Sequence, residues 1–267
     1  MKQLIAIFFA AFTVLVFSQE EMPFEIGKTV KIHSEILNED RTINIFLPHD
    51  YALDTATSYH VIYLLDGSAD EDFIHVAGLV QFYSFSWIGA IPPTIVVGIS
   101  NVDRRRDFTF PTTNEQDKKD NPTSGGSALF MKFLSDELVP YMDKNYRLNP
   151  DRTIIGQSLG GLLATEILFT NPELFKNYFI ISPSLWWDNQ SILERKWAQV
   201  IGNKRIYIAV GDEGKLMVPP AKKLYSELKK TGGNLNTLYF EFFKNRTHGD
   251  VLHEALEVGF EKIFNEH

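Results

Sequence analysis

The 267-residue sequence predicts an α/β fold, in which an open, mostly parallel sheet is covered by helices on both faces. Three observations carry this expectation. Val61–Leu65 and Thr94–Ile99 are short, near-continuous apolar runs, the composition of strands buried on both faces. Segments of helical periodicity alternate with such runs along the chain. A β-branched run ending at Ile155 feeds a G-x-S-x-G pentapeptide, Gly156-Gln157-Ser158-Leu159-Gly160. The pentapeptide opens directly into an apolar-periodic helix through Leu162, Leu163, Ile167 and Leu168.

Residues 1–18 read as an export signal, with Lys2, an apolar run from Leu4 to Phe17, and Val16 and Ser18 before a cleavage point at Gln19. The run is short of the roughly 20 residues that span a bilayer, so a retained anchor is the lesser alternative. Residues 19–267 are then expected to form a single domain in the periplasm or outside the cell, without stable membrane insertion once the signal is removed. A lead-in over 19–28 precedes an antiparallel hairpin, Thr29–Ile36 and Arg41–Leu47, turning at Asn38-Glu39-Asp40. An aromatic-rich helical pattern over 71–88 separates the two apolar strands. Residues 100–124 show no regular period, and a loop of that length in a compact domain is functional or disordered.

Ser127–Asn145 is amphipathic, with Leu129, Phe130, Phe133, Leu134, Leu138, Tyr141 and Met142 on one broad face. The helix after Ser158 stops at Asn171-Pro172. Beyond it the pattern predicts a strand at Tyr178–Ile181, a helix over Asp188–Val200, and a strand at Arg205–Val210. A helix at Pro219–Lys230, a strand at Thr237–Phe243 and a last helix from Asp250 to Phe264 complete the chain.

Bulk properties exclude several function classes. The chain has no cysteine, which removes disulfides, thiol catalysis and thiolate metal sites. Its net charge of −8 argues against nucleic acid as a partner. No metal or cofactor is expected.

The pentapeptide places a serine on a tight strand-to-helix turn, aiming the Leu159 N–H and the new helix N-terminus at charge developing beside the hydroxyl. Such a serine needs a base, and the base needs a third group to fix its tautomer, in the chain order Ser, acid, His. Of the seven histidines, His248 lies in the loop between the last strand and last helix, whereas His253 falls within that helix. The acid is expected after the strand ending at Val210, in Gly211-Asp212-Glu213-Gly214; Glu213 is preferred, while Asp212 and a Ser–His dyad with a weak or absent third member stand open. A second oxyanion donor is expected from Gly67 or Ser68, in the loop after Val61–Leu65.

Five motifs occur in order: Tyr63-Leu64-Leu65-Asp66-Gly67, the run from Ile91 to Ile99, Asp103-Arg104-Arg105-Arg106-Asp107, Gly156 to Gly161, and Ser182-Pro183-Ser184-Leu185-Trp186-Trp187. Together they resemble the esterase D and enterochelin-esterase-like branch of the α/β-hydrolases, over roughly residues 30–265. The resemblance implies the α/β-hydrolase fold and a serine carboxylesterase with Ser158 as nucleophile and His248 as base. It also points to siderophore-type esters.

Arg104, Arg105 and Arg106 are expected near the active edge, where guanidinium groups suit an anionic substrate; the alternative is pairing with Asp103 and Asp107. Trp186 and Trp187 follow a strand, where they either line an aromatic acyl or sugar site or cap the core. Two other readings remain: a polysaccharide feruloyl or acetyl esterase acting on a glycan, and a catalytically silent binding protein on the same fold.

Overall fold

The computed structural model describes residues 20–195, 202–230 and 237–264. The residues read as an export signal lie outside this set, as do the end of the helix expected to reach Val200 and the last three residues. Among the described residues eight strands form one sheet in the order β1-β2-β4-β3-β5-β6-β7-β8. β1 (Lys28–Ser34) and β2 (Glu39–Phe46) make the antiparallel hairpin, and β2 pairs antiparallel with β4 (Thr94–Ile99). The hairpin turns earlier than expected: Asn38 has φ 52° and Glu39 already pairs with Ser34. Asparagine tolerates that left-handed backbone, which ends the turn two residues sooner.

From β4 onward every pairing is parallel, through β3 (Tyr59–Leu64), β5 (Leu148–Gln157), β6 (Asn177–Ile181), β7 (Arg205–Gly211) and β8 (Leu238–Phe243). Parallel neighbours need crossovers, and these place helices on both faces. One face is covered by α1 (Phe73–Tyr83) and, from the far end of the chain, α9 (Val251–Phe264). The other carries α6 (Leu159–Thr170) and α8 (Gly214–Lys230), with a long helical segment packed beside them. That segment, expected as one helix, is α4 (Ser127–Phe133), a π-helical turn (Leu134–Leu138) and α5 (Val139–Asn145). Leu129, assigned to its buried face, is exposed.

Three further expectations are corrected. The irregular stretch 100–124 contains α2 (Arg104–Phe108) and α3 (Glu115–Asp120), too short to show a period. Both have side-chain caps: Asp103 accepts from the Arg106 N–H, and Asn114 from those of Gln116 and Asp117. Over its described residues, the helix expected from Asp188 to Val200 is instead α7 (Trp187–Gln190) and a 3-10 turn (Ser191–Glu194). Asp188, Asn189 and Gln190 take left-handed φ, and the Asp188 carboxylate binds Thr112 and Thr113 instead of continuing a helix. α8 begins at Gly214 rather than Pro219, because proline marks a helix start only when the turns before it fail to form.

An ion network joins the hairpin to α2. Arg41 is fully buried and reaches Asp107 at 2.7 Å and Glu39 at 2.8 Å; Arg106 holds the same two carboxylates at 2.7 and 2.6 Å. Removing Asp107 leaves Arg41 and Arg106 sharing Glu39 alone, with one positive charge in excess and Arg41 fully buried. Asp107→Ala is expected to lower stability by about 3–5 kcal/mol, read as a lower urea midpoint with an unchanged slope.

Candidate active site

Ser158 ends β5 and starts α6 with φ 60° and ψ −119°, a backbone that a side-chain-bearing residue adopts only when its surroundings enforce it. The enforcement is visible. The Ser158 N–H donates to the Ile181 carbonyl at 3.0 Å, and the Ser158 carbonyl accepts from Ser184 and Leu162 at 2.9 and 3.0 Å. Helix and strand approach so closely that a Cβ on Gly156 would lie 2.3 Å from the Gly160 carbonyl oxygen. Glycine is therefore required at Gly156 for the turn to close. The hydroxyl emerges above the sheet, 3.3 Å from the Ser184 hydroxyl.

Two loops bring the other candidates to this edge. The turn after β7 carries Glu213, and the turn between β8 and α9 carries His248; the Asp212 N–H docks them by donating to the Arg246 carbonyl at 2.7 Å. His248 Nδ1 lies 2.5 Å from Glu213 Oε2. Glu213 Oε1 accepts from the Ser182 hydroxyl at 2.5 Å and the Gly211 N–H at 3.0 Å. Burial of the Glu213 side chain opposes its ionisation, yet the hydrogen bonds from His248, Ser182 and Gly211 outweigh it and hold its carboxyl below the ordinary value. Gln157 Nε2 donates to the His248 carbonyl at 2.5 Å, tying the histidine loop to the elbow.

Ser158 and His248 line one cleft of about 440 Å³ with Asp66, Glu71, Asp72, Arg104 and Gln157. Of the two carboxylates left open by the sequence, the structure brings Glu213 to His248 and leaves Asp212 exposed. His253 lies elsewhere, with its ring against that of His75. The oxyanion expectation narrows: the Gly67 N–H is taken by the Ile99 carbonyl at 3.0 Å, so Gly67 gives way to Ser68 beside it. The Leu159 N–H lies at the start of α6.

The other expected contacts divide. Arg104 lines the cleft, but its fork grips Asp66 at 2.6 and 2.9 Å. Arg106 does not line the cleft and is not a substrate anchor, because Glu39 and Asp107 hold its guanidinium. Trp187 is fully buried, and its indole N–H donates to the Phe110 carbonyl at 2.8 Å, so it is a core residue rather than a substrate contact. Trp186 is half-buried against it.

The sequence placed Ser182 at the carboxyl edge of the sheet without giving it a role, and did not single out Ser184, Gln157, Glu71 or Asp72. Ser182 and Ser184 immediately follow a strand at the carboxyl edge, the one signal that marked them.

Asp72 carries an electrostatic cost. Burial first, then the neighbouring Asp66 and Glu71 carboxylates, push its carboxyl up to about 6 from 3.8, against the pull of Arg104. The folded state keeps this proton where the unfolded chain has released it. Stability therefore falls as pH rises from 3.8 to about 6 and is flat above that window. Asp72→Asn is expected to remove this decline, giving a higher melting temperature than the parent at pH 8 and an equal one below pH 3.8, measured by thermal unfolding across pH.

Comparison with known proteins agrees with the fold. The family model described as "Putative esterase" matches residues 34–237. The ferri-bacillibactin esterase BesA of Bacillus subtilis (strain 168) is 34% identical over 170 residues, spanning 59% of this chain and 59% of that protein. The crystal structure of the BES protein from Bacillus cereus superposes with a TM-score of 0.79 at 28% identity, covering 94% of this chain and 99% of that one. That of an IroE-like serine hydrolase from Shewanella oneidensis does so at 0.74 and 30% identity, covering 88% and 79%. Family match, relatives and topology together make the chain a member of this esterase family, in the siderophore-esterase-like branch of the α/β-hydrolases.

Proposed function

We propose that this protein is a serine esterase that hydrolyses small-molecule esters of the siderophore type through an acyl-enzyme on Ser158. One observation carries the reading: Ser158 and His248 face a common cleft while Glu213 occupies the Nδ1 side of His248. With Nδ1 held, Nε2 is the atom left to accept the Ser158 proton as Oγ attacks the ester carbonyl. The N–H groups of Leu159 and Ser68 bind the oxyanion of the tetrahedral intermediate. Collapse expels the alcohol, which takes its proton from His248. Water, deprotonated by the same histidine, then attacks the acyl-enzyme, releasing the acid and restoring the serine. The names of the relatives support the siderophore class, and the apolar run of residues 1–18 supports action outside the cytoplasm. Among the described residues no helix is long and apolar enough to cross a membrane.

The test pairs a fluorophosphonate probe with a substrate panel. The adduct is expected on Ser158, and turnover is expected to favour siderophore-type over feruloyl and acetyl-sugar esters. An adduct elsewhere overturns the nucleophile, and preference for the sugar esters overturns the substrate class.

A further inference from the structure

The cleft beside Ser158 is walled by acid. Asp66, Glu71 and Asp72 line it, with Arg104 the one arginine or lysine among the residues that do so. That arginine is committed: its Nε and Nη2 hold Asp66 at 2.6 and 2.9 Å, and Nη2 also lies 3.4 Å from the Gln157 carbonyl. A guanidinium fork closed on a carboxylate is internally neutral and offers an incoming anion little. Asp66 is further held by the Asn101 amide at 2.7 Å. The Arg104–Asp66 pair therefore behaves as part of the wall.

Glu71 and Asp72 are different. Glu71 is exposed and takes the Asn101 amide, a neutral donor, at 3.2 Å on each oxygen. Among the described residues neither Glu71 nor Asp72 forms an ion pair. Asp66, Glu71 and Asp72 against Arg104 leave the cleft wall a net excess of two negative charges once Asp72 is ionised, in a chain whose net charge is already −8. A concave wall of one sign concentrates counter-charge at the cleft mouth and repels like charge.

We propose that Glu71 and Asp72 determine the specificity of the cleft, selecting esters that carry an ammonium group near the scissile bond over isosteric neutral or anionic esters. The proposal rests on Ser158 as the nucleophile and reverses the anion receptor expected of Arg104 and Arg106. An ammonium within a few ångströms of a half-exposed carboxylate gains about five- to tenfold in binding when two such charges act together. A sulfonate in the same place loses a similar factor.

The experiment uses the full chain and three thioesters of one acyl group. They are butyrylthiocholine, its uncharged 3,3-dimethylbutyl isostere and a 2-sulfonatoethyl analogue, followed by release of the thiol to a disulfide dye. The protein has no cysteine to react with that dye. At low salt, kcat/KM is expected to favour the ammonium over the neutral ester by about five- to tenfold and to disfavour the sulfonate, the contrast shrinking toward one at about 0.5 M salt. The neutral ester serves as reference within each protein. The ratio is expected to fall to about one in the double variant Glu71→Gln, Asp72→Asn, and below one in Glu71→Lys.

A ratio at or below one in the parent, or one that survives double neutralisation, overturns the proposal while leaving the esterase reading intact. Failure to turn over any of the three thioesters, with no phosphonate adduct on Ser158, overturns the esterase reading and this proposal with it.

Discussion

Ser158→Ala is expected to eliminate ester hydrolysis, by about five to six orders of magnitude in kcat, while the urea midpoint stays near that of the parent. The two outcomes follow from different features. Oγ is the only atom removed; it lies at the cleft surface against another hydroxyl, so its loss opens no apolar cavity. The elbow is held by backbone contacts to Ile181, Ser184 and Leu162, which alanine retains. Residual turnover reports the oxyanion donors and binding alone. Parent-like turnover by a folded variant would remove Ser158 as nucleophile.

Two substitutions probe the proposed base and its proposed orienting acid. His248→Ala is expected to match the serine variant, because residues acting as one unit are not additive, and His253→Ala to be mild. Glu213→Gln keeps shape while removing charge. The amide can still meet Nδ1, but it no longer fixes the histidine as an Nδ1–H donor or stabilises the imidazolium; a loss of about two to four orders in kcat is expected. Asp212→Asn, at an exposed position, is expected to be near parent. Single-turnover rates on a nitrophenyl ester rank the four variants, and a larger loss at Asp212 than at Glu213 would transfer the orienting role.

What the sequence disclosed and what it withheld divide by range. The buried strand Thr94–Ile99 and the strand–elbow–helix around Ser158 are local patterns, and the structure has them at those residues. α2 and α3 were missed because helices of about one turn leave no period, although their capping residues Asp103 and Asn114 were readable. The choice between Glu213 and Asp212 depends on the docking of two loops from β7 and β8, a long-range pairing that no local pattern encodes. Arg104 and Arg106 are two positions apart on one short helix and therefore point apart; the sequence offered Asp107 as a partner, which Arg106 meets, but nothing local pointed to Glu39 or Asp66. Trp186 and Trp187 are likewise adjacent, one fully buried and one half-buried.

That opposed pair of arginines has a consequence for how the molecule opens. Arg106 is clamped to Glu39 and Asp107, and through them to Arg41 in the hairpin; Arg104, two positions earlier, is clamped to Asp66 at the rim beside Ser158. The edge hairpin and the rim of the cleft are thereby fastened by the two ends of α2 and should behave as one cooperative opening unit rather than as a fraying edge and an independent cleft. Amide hydrogen exchange should then give β1, β2 and the segment around Asp66 a common opening free energy, lower than that of β5 and β6. Sub-denaturing urea should quench turnover in step with exposure of the hairpin, well before the central strands exchange.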